Sequence, residues 1–272
     1  MPKNPIKQKD ELDRFYTKPE VAEICYQRVL PHLTSNDFLI EPAAGSGSFY
    51  EFMRPPKIGY DLAPRHSEII QGDWFNQTIP KNSVIIGNPP FGSRNKLSKA
   101  FILYSIPHSR SICFILPMTF RKESTQKVFP DDWVLVDDYT LPKNSFLLDG
   151  CDYHVPSTFQ IWIKNSNLPN LRQSHQIKHQ TTDFIFTRTN ATHFIFGAAP
   201  NKIIKPENVH SNNRGYYIQS NIEDIEKVFK EIPWKDYALS SVNGNVSWYS
   251  KQEIVNVYVK EMTEKINDLK QF

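Results

Sequence analysis

The chain has 272 residues and a formal charge of +3, enough length for one large α/β domain with an appendage, or for two modest domains. Hydrophobic residues at 39% and charged residues at 22% exclude a disordered chain, and no apolar run is long enough to cross a bilayer. The three cysteines, Cys25, Cys113 and Cys151, are odd in number and far apart, which excludes a disulfide framework and gives no metal-ligand spacing. Residues 1–10 are polar and lysine-bearing, without the apolar stretch of a secretory signal, so a reducing, cytoplasmic setting is expected.

In chain order, Thr17-Lys18-Pro19-Glu20 opens the first helix. Thr17 is placed to cap it, Pro19 suits the first turn and Glu20 completes a capping box; Val21, Ile24, Cys25 and Val29 then recur at helical spacing. Phe38-Leu39-Ile40 is a short strand. It ends in Glu41-Pro42 and feeds Ala43-Ala44-Gly45-Ser46-Gly47-Ser48, a glycine turn expected to lead into a helix. Further strands are predicted at 58–61, 83–87, 111–116, 133–139 and 157–163, with helical spacing between them, as over 97–105. This alternation predicts an α/β fold built on a doubly wound, mostly parallel sheet. Asp137-Asp138, at the end of a strand, reads as a solvent-exposed edge in preference to a metal pair.

The polar stretch 165–174 predicts a linker, dividing the chain into 1–164 and a small C-terminal α+β region, 165–272. In that region strands are expected at 183–187 and 192–196. Phe184, Phe186, Phe194 and Phe196 alternate at strand period and are expected in its core. A helix carrying Ile222, Ile225, Val228, Phe229 and Ile232 follows, with Asn221 as its cap. Asn243-Gly244 reads as a tight turn, and Ser250 with Glu253 as a capping box before the last helix. Residues 165–222 hold Arg172, Lys178, Arg188, Lys202, Lys205 and Arg214 against Asp183 and Glu207. Such an excess suits either phosphate contacts or a solvated face.

Three positions carry chemistry. Glycines after a first strand let backbone approach a ligand, and Glu41 at that strand end suits an ammonium group; an ordinary strand–turn would show the same glycines. Asp61 ends the next strand, where a carboxylate can accept both hydroxyls of a ribose. Asn88-Pro89-Pro90-Phe91 follows a later strand. An exocyclic base amine is a poor nucleophile because its lone pair is delocalised. The Asn88 amide oxygen and the Pro89 carbonyl can accept its hydrogens and stabilise the developing positive charge. Pro90 stiffens the turn, and Phe91 can stack on a base extruded from its strand. Asn-Pro is also a common turn former, so the conjunction of all three at one sheet edge carries the weight.

With these motifs in place, the chain resembles the S-adenosylmethionine (SAM)-dependent amino-methyltransferases of nucleic acids, of the Asn-Pro-Pro-Phe kind, in their gamma-type motif order. The resemblance covers roughly residues 13–163. It implies a class I Rossmann-like fold, SAM as cofactor, and methyl transfer to adenine N6 in DNA ahead of RNA. By resemblance, Phe15, Tyr16 and Thr17 lie on the methionine side of SAM, and Glu41, Pro42, Ala43, Gly45 and Gly47 form the glycine motif. Asp61 meets the ribose, with Leu62 beside it also touching the cofactor, Asp73 meets the cofactor's amino group, and Trp74 or Phe75 its ring. Asn88, Pro89, Pro90 and Phe91 are the catalytic motif, with Asn88 also touching the cofactor. Arg94, Lys96, Lys99, Arg121 and Lys122 are candidates for holding the nucleotide backbone. The pattern departs at Asp13-Arg14, where a glycine is usual. The region from 165 on stands in the place of a target-recognition module but is short for one. A partner subunit or a second copy could complete the site.

Overall fold

The computed structural model describes residues 15–173, 178–237, 241–242 and 246–269. The chain divides into two compact units, Met1–His175 and Gln176–Phe272.

The first unit contains β1 (Tyr16–Thr17), α1 (Pro19–Val29), β2 (Leu39–Glu41), β3 (Lys57–Asp61), β4 (Ile70–Gln71), β5 (Ser83–Gly87), α2 (Lys96–Ser105), β6 (Ser109–Pro117), α3 (Glu123–Gln126), β7 (Trp133–Thr140), β8 (Phe146–Leu148), β9 (Cys151–Tyr153) and β10 (Ser157–Lys164). Seven strands form one sheet in the order β4-β3-β2-β5-β6-β10-β7. β10 runs antiparallel to both β6 and β7, while the pairs β3/β4, β2/β3, β2/β5 and β5/β6 are parallel. The order reverses between β2 and β5, which makes the carboxyl ends of those two strands the switch point where open α/β sheets bind ligands. This is a class I Rossmann-like α/β fold.

Burial on both faces dictates the strand sequences. Every residue of β5 is buried, as a central parallel strand requires. Val84 and Ile86 pack with Cys25 and Val29 of α1 on one face, and Ile85 packs with Phe101 and Ile102 of α2 on the other. β6 divides likewise, with Cys113 and Ile115 toward α1 and Ile112, Phe114 and Leu116 toward α2. A separate small sheet, β1-β8-β9, is antiparallel, with Tyr16 opposite Leu147 and Thr17 opposite Phe146.

Several expectations are corrected. Thr17 does not cap α1; it belongs to β1, and Lys18 occupies the cap position without a side-chain bond. The glycine turn leads only to a single 3-10 turn, Tyr50–Phe52, because Gly47 takes positive φ and the chain then returns directly to β3. β7 is one of the sheet's two edge strands, but Asp137 and Asp138 on it are half-buried and paired, Asp137 with Arg28 at 2.6 Å and Asp138 with Arg121 at 2.8 Å. The division falls after His175, beyond the expected 164/165 boundary, because the polar stretch is tied to the sheet: Asn165 N donates to Asp132 O and Leu171 N to Leu135 O. Ser174 lies outside the described residues, as do Asp13-Arg14 and Asn243-Gly244.

Arg172 closes that stretch and is 3% exposed. Its guanidinium donates to the carbonyls of Phe129 at 2.6 Å, Pro130 at 2.8 Å and Gln126 at 3.3 Å. It is therefore an internal clamp and unavailable to phosphate. Arg172→Ala removes all three of these bonds, leaves Phe129 O without its donor and opens a cavity at a buried position, and is expected to lower the unfolding free energy by roughly 2–4 kcal/mol, read by urea denaturation.

The second unit holds a four-stranded antiparallel sheet in the order β11-β14-β12-β13, from β11 (Phe184–Phe186), β12 (His193–Phe196), β13 (Ala199–Ile204) and β14 (Gly215–Ser220). α4 (Ile225–Glu231), the short pair β15 (Ser241–Val242) and β16 (Val246–Ser247), and α5 (Lys251–Leu269) follow. The capping box before α5 forms in both directions: Ser250 N donates to Glu253 Oε2 at 2.6 Å, and Glu253 N to Ser250 Oγ at 3.3 Å. Asn221 does not cap α4; it bonds the carbonyls of Thr182 and Asp183. Phe184 and Phe186 join the core beneath the helices, whereas Phe194 and Phe196, on alternate positions to Ile195, do not.

Candidate active site

At the switch point of the first unit lies a cavity of about 280 Å³. β2 delivers Glu41, β3 delivers Asp61, the turn after β4 delivers Asp73 and Trp74, and β5 delivers Asn88. The expected residues Phe15, Tyr16, Thr17, Pro42, Ala43, Gly45, Leu62, Pro89 and Pro90 also line it.

Glycine is required where the backbone closes on its neighbours. Gly45 has φ 52°, and a β-carbon there would sit 3.0 Å from Tyr16 Cε1. Its N–H donates to Asp61 Oδ2 at 2.8 Å, while Asp61 Oδ1 accepts from Ala63 N at 2.8 Å. Each carboxylate oxygen thus retains accepting capacity toward the cavity. Gly87 has φ 153°, and a β-carbon there would meet Glu41 Cγ at 3.2 Å, so this glycine lets β5 and Glu41 pack together.

Among the described residues, four side-chain atoms of the cavity wall are buried without a hydrogen-bond partner: the acceptors Glu41 Oε2 and Asn88 Oδ1, the hydroxyl Tyr16 Oη and the donor Trp74 Nε1. Buried polar atoms are rarely left so, and such atoms around one cavity imply a ligand that satisfies them. Glu41 is 2% exposed. Burial drives its pKa well above the usual carboxylate range; the backbone N–H groups of Tyr50 and Phe49 oppose this, while the nearby Asp61 charge reinforces it. A cation arriving beside it would restore the ionised form. Asn88 donates its Nδ2 hydrogen to Phe15 O at 3.2 Å. That bond fixes the amide's orientation and leaves the opposite atom, Oδ1, as a committed acceptor. Ser98 Oγ donates to Pro90 O at 3.2 Å, pinning the loop from α2.

Other expected residues stand elsewhere. Phe91 is 7% exposed and packs in the core, 6.2 Å from the Phe15 ring, so it braces the loop and presents no face for stacking. Gly47 lies against His66, outside the cavity wall. Arg121 is spent on Asp138, Thr140 and Thr158. Arg94 and Lys96 are exposed and Lys99 half-buried, at the start of α2. Lys122 begins α3 as its cap residue. Asp73 accepts from Phe75 N at 3.1 Å, with Trp74 buried beside it. Leu97 and Phe101 complete the wall. They were legible only as part of a helix's apolar pattern, which does not distinguish a cavity wall from packed core. Ser48, whose Oγ donates to Thr17 O at 2.6 Å, ties the glycine turn to β1.

The fold and site thus define a Rossmann-like unit with an acid-lined, amide-bearing pocket at its carboxyl edge. No family model matches the chain, and no curated protein is similar. Among solved structures, the chain is similar to a type I restriction-modification methyltransferase subunit from Streptococcus thermophilus (18% identity over 58% of this chain and 47% of that one, TM-score 0.44). It is also similar to the 23S rRNA methyltransferase ErmE (14%, 57% and 71%, TM-score 0.41). A third is a dimethyladenosine transferase from Plasmodium falciparum (15%, 56% and 63%, TM-score 0.39). The chain therefore spans less than two thirds of the first and third of these.

Proposed function

We propose that the protein transfers a methyl group from SAM to the exocyclic amine of a nucleobase, adenine N6 in DNA. The observation that carries this reading is the partnerless, oriented Asn88 Oδ1 one strand away from the partnerless Glu41 Oε2, both in the same cavity. The residues fit SAM: a buried carboxylate for its ammonium, Asp61 for its ribose hydroxyls, and Asp73 with Trp74 and Phe75 for its adenine. When bound, SAM supplies an activated methyl on a sulfonium.

The chain's own residues do the rest. Asn88 Oδ1 and the Pro89 carbonyl accept the two amine hydrogens, favour a pyramidal nitrogen and stabilise its positive charge as it attacks. Transfer is direct, with no covalent enzyme intermediate: Cys25, Cys113 and the exposed Cys151 all lie outside the cavity wall, and burial raises the Cys25 and Cys113 thiols, Cys113 to about 12. A base inside a duplex cannot reach this pocket, so it must leave the stack. Arg94, Lys96 and Lys99 flank the loop and can hold the strand from which it comes.

The test is transfer of labelled methyl from SAM to matched DNA and RNA oligonucleotides, followed by nucleoside analysis. N6-methyldeoxyadenosine is expected. Label in the RNA alone would reassign the polymer, and label in neither would overturn the reading. Gly45→Val, which must both abandon positive φ and push on Tyr16, is expected to weaken SAM binding roughly tenfold or more by calorimetry.

A further inference from the structure

The four-stranded sheet of the second unit has two unlike faces. Its strand registers place Ile195, Ile203 and Ile218 on one of them, packed with Ile225 and Phe229 of α4 and Ile254 and Tyr258 of α5. The other face carries a row across three strands, with Tyr217 opposite Phe194 and Phe194 opposite Ile204. The Phe194 ring meets those of Tyr217 and Phe196 edge-on, at 5.0 Å and 5.4 Å. Phe194 is buried at the centre of the row, while Tyr217, Phe196 and Ile204 are half-exposed around it. Ile185, on the edge strand, is 53% exposed.

Charge says what such a face fits. Arg188 holds its guanidinium 6.0 Å over the Tyr217 ring, and Lys202, two residues before Ile204 on β13, is exposed. From Lys178 to Ile222 the acids are Asp183 and Glu207, and Asp183 accepts from the Tyr258 hydroxyl at 2.6 Å. A face of aromatic rings bordered by cations is complementary to a polyanion that offers flat apolar rings. A duplex keeps its bases stacked on one another, whereas a single strand can lay them on a protein's rings.

We infer that this face of the second unit's sheet binds single-stranded nucleic acid, with Tyr217 and Phe196 stacking bases and Arg188 and Lys202 meeting phosphates. As an account of how substrate is held, this rests on the nucleobase reading of the first unit; as a binding surface it is measured separately.

The experiment is fluorescence anisotropy of the full chain with labelled twelve-nucleotide DNA and RNA single strands and a DNA duplex. Single strands of one or both polymers are expected to bind more tightly than the duplex. The double variant Phe196→Ala/Tyr217→Ala is expected to lose roughly tenfold or more in that affinity. Arg188→Ser/Lys202→Ser changes exposed side chains and guards against misfolding of the aromatic variant; it is expected to weaken binding and flatten its salt dependence. Unaltered single-strand affinity in the cation variant, or duplex binding as tight as single-strand binding, overturns the inference. SAM titration of the same samples reports on the first unit's pocket independently, so failure of one reading is distinguishable from failure of the other.

Discussion

Asn88→Ala is expected to lower the single-turnover rate of methyl transfer by about 10²–10³-fold, the usual cost of removing one oriented group that stabilises transition-state charge. SAM affinity should change little, because the contacts proposed for the cofactor lie mainly on β2, β3 and the turn after β4. The split is the diagnostic. Asn88 Oδ1 has no partner among the described residues, so removing it costs folding stability nothing in hydrogen bonding to them at that atom. The Phe15 carbonyl does lose its donor, at about 1 kcal/mol. Asn88→Asp is the complementary variant. It supplies an oxygen in the same place but cannot donate to Phe15 O, so its aim is lost. A fall in rate for both variants, with SAM binding retained, identifies an oriented acceptor. Near-normal rates in Asn88→Ala would mean that the amine is handled by other groups.

The second large effect lies at Glu41. Glu41→Gln is expected to weaken SAM binding at least thirtyfold, the lower end of the cost of truncating one member of a buried charge pair. The same variant should stabilise the unliganded protein at neutral pH, since a neutral amide needs no proton taken up on folding. The pH dependence follows from the direction of the Glu41 shift. Its folded pKa is raised by burial, so the folded state holds a proton that the unfolded state has released. The unliganded protein therefore loses stability as pH rises from the ordinary glutamate range through the raised value. SAM binding runs the other way. It needs the ionised carboxylate, so affinity climbs with pH over the same window and binding releases a proton. Calorimetry in buffers of different ionisation enthalpy reads that proton directly. Pairing this with Glu41→Gln, which should release none, isolates the group.

The positions of these residues were legible because parallel strands advertise themselves. Runs such as Ser83-Val84-Ile85-Ile86-Gly87 are apolar on both faces, and each ends in a residue that cannot continue the strand. The chemistry therefore concentrates at strand ends that can be read directly. Three kinds of feature were hidden. β1 is two residues long and pairs with β8 across more than a hundred residues, while β8 and β9, three residues each, form a hairpin turning at Asp149-Gly150; all three are too short for an alternation to show. The linker at 165–174 looks polar and loose, yet Arg172 turns it inward to a ring of carbonyls; composition alone does not say where a guanidinium points. Phe91 sits in a motif that suggests a stacking platform. Its fate depends on Phe15 and the core under β5, partners distant in sequence. In the second unit, alternation correctly marks Phe194 and Phe196 as strand residues but cannot say which of two faces is the core. That is fixed by where α4 and α5 land.

The bond from Asn88 to Phe15 has a consequence for synthesis of the chain. Residue 15 adjoins a strand that gains its partner only when Phe146 and Leu147 exist. The cavity-lining residues at 41–46, 61 and 73 are all made well before that point. A ribosome would thus release Glu41, Asp61 and Asp73 about seventy residues ahead of the strand that seats β1 and aims the amide. Chains ending before Leu147 lack both the strand that seats Phe15, Tyr16 and Thr17 in the cavity wall and β10 between β6 and β7, so methyl transfer should appear only once synthesis has passed Lys164.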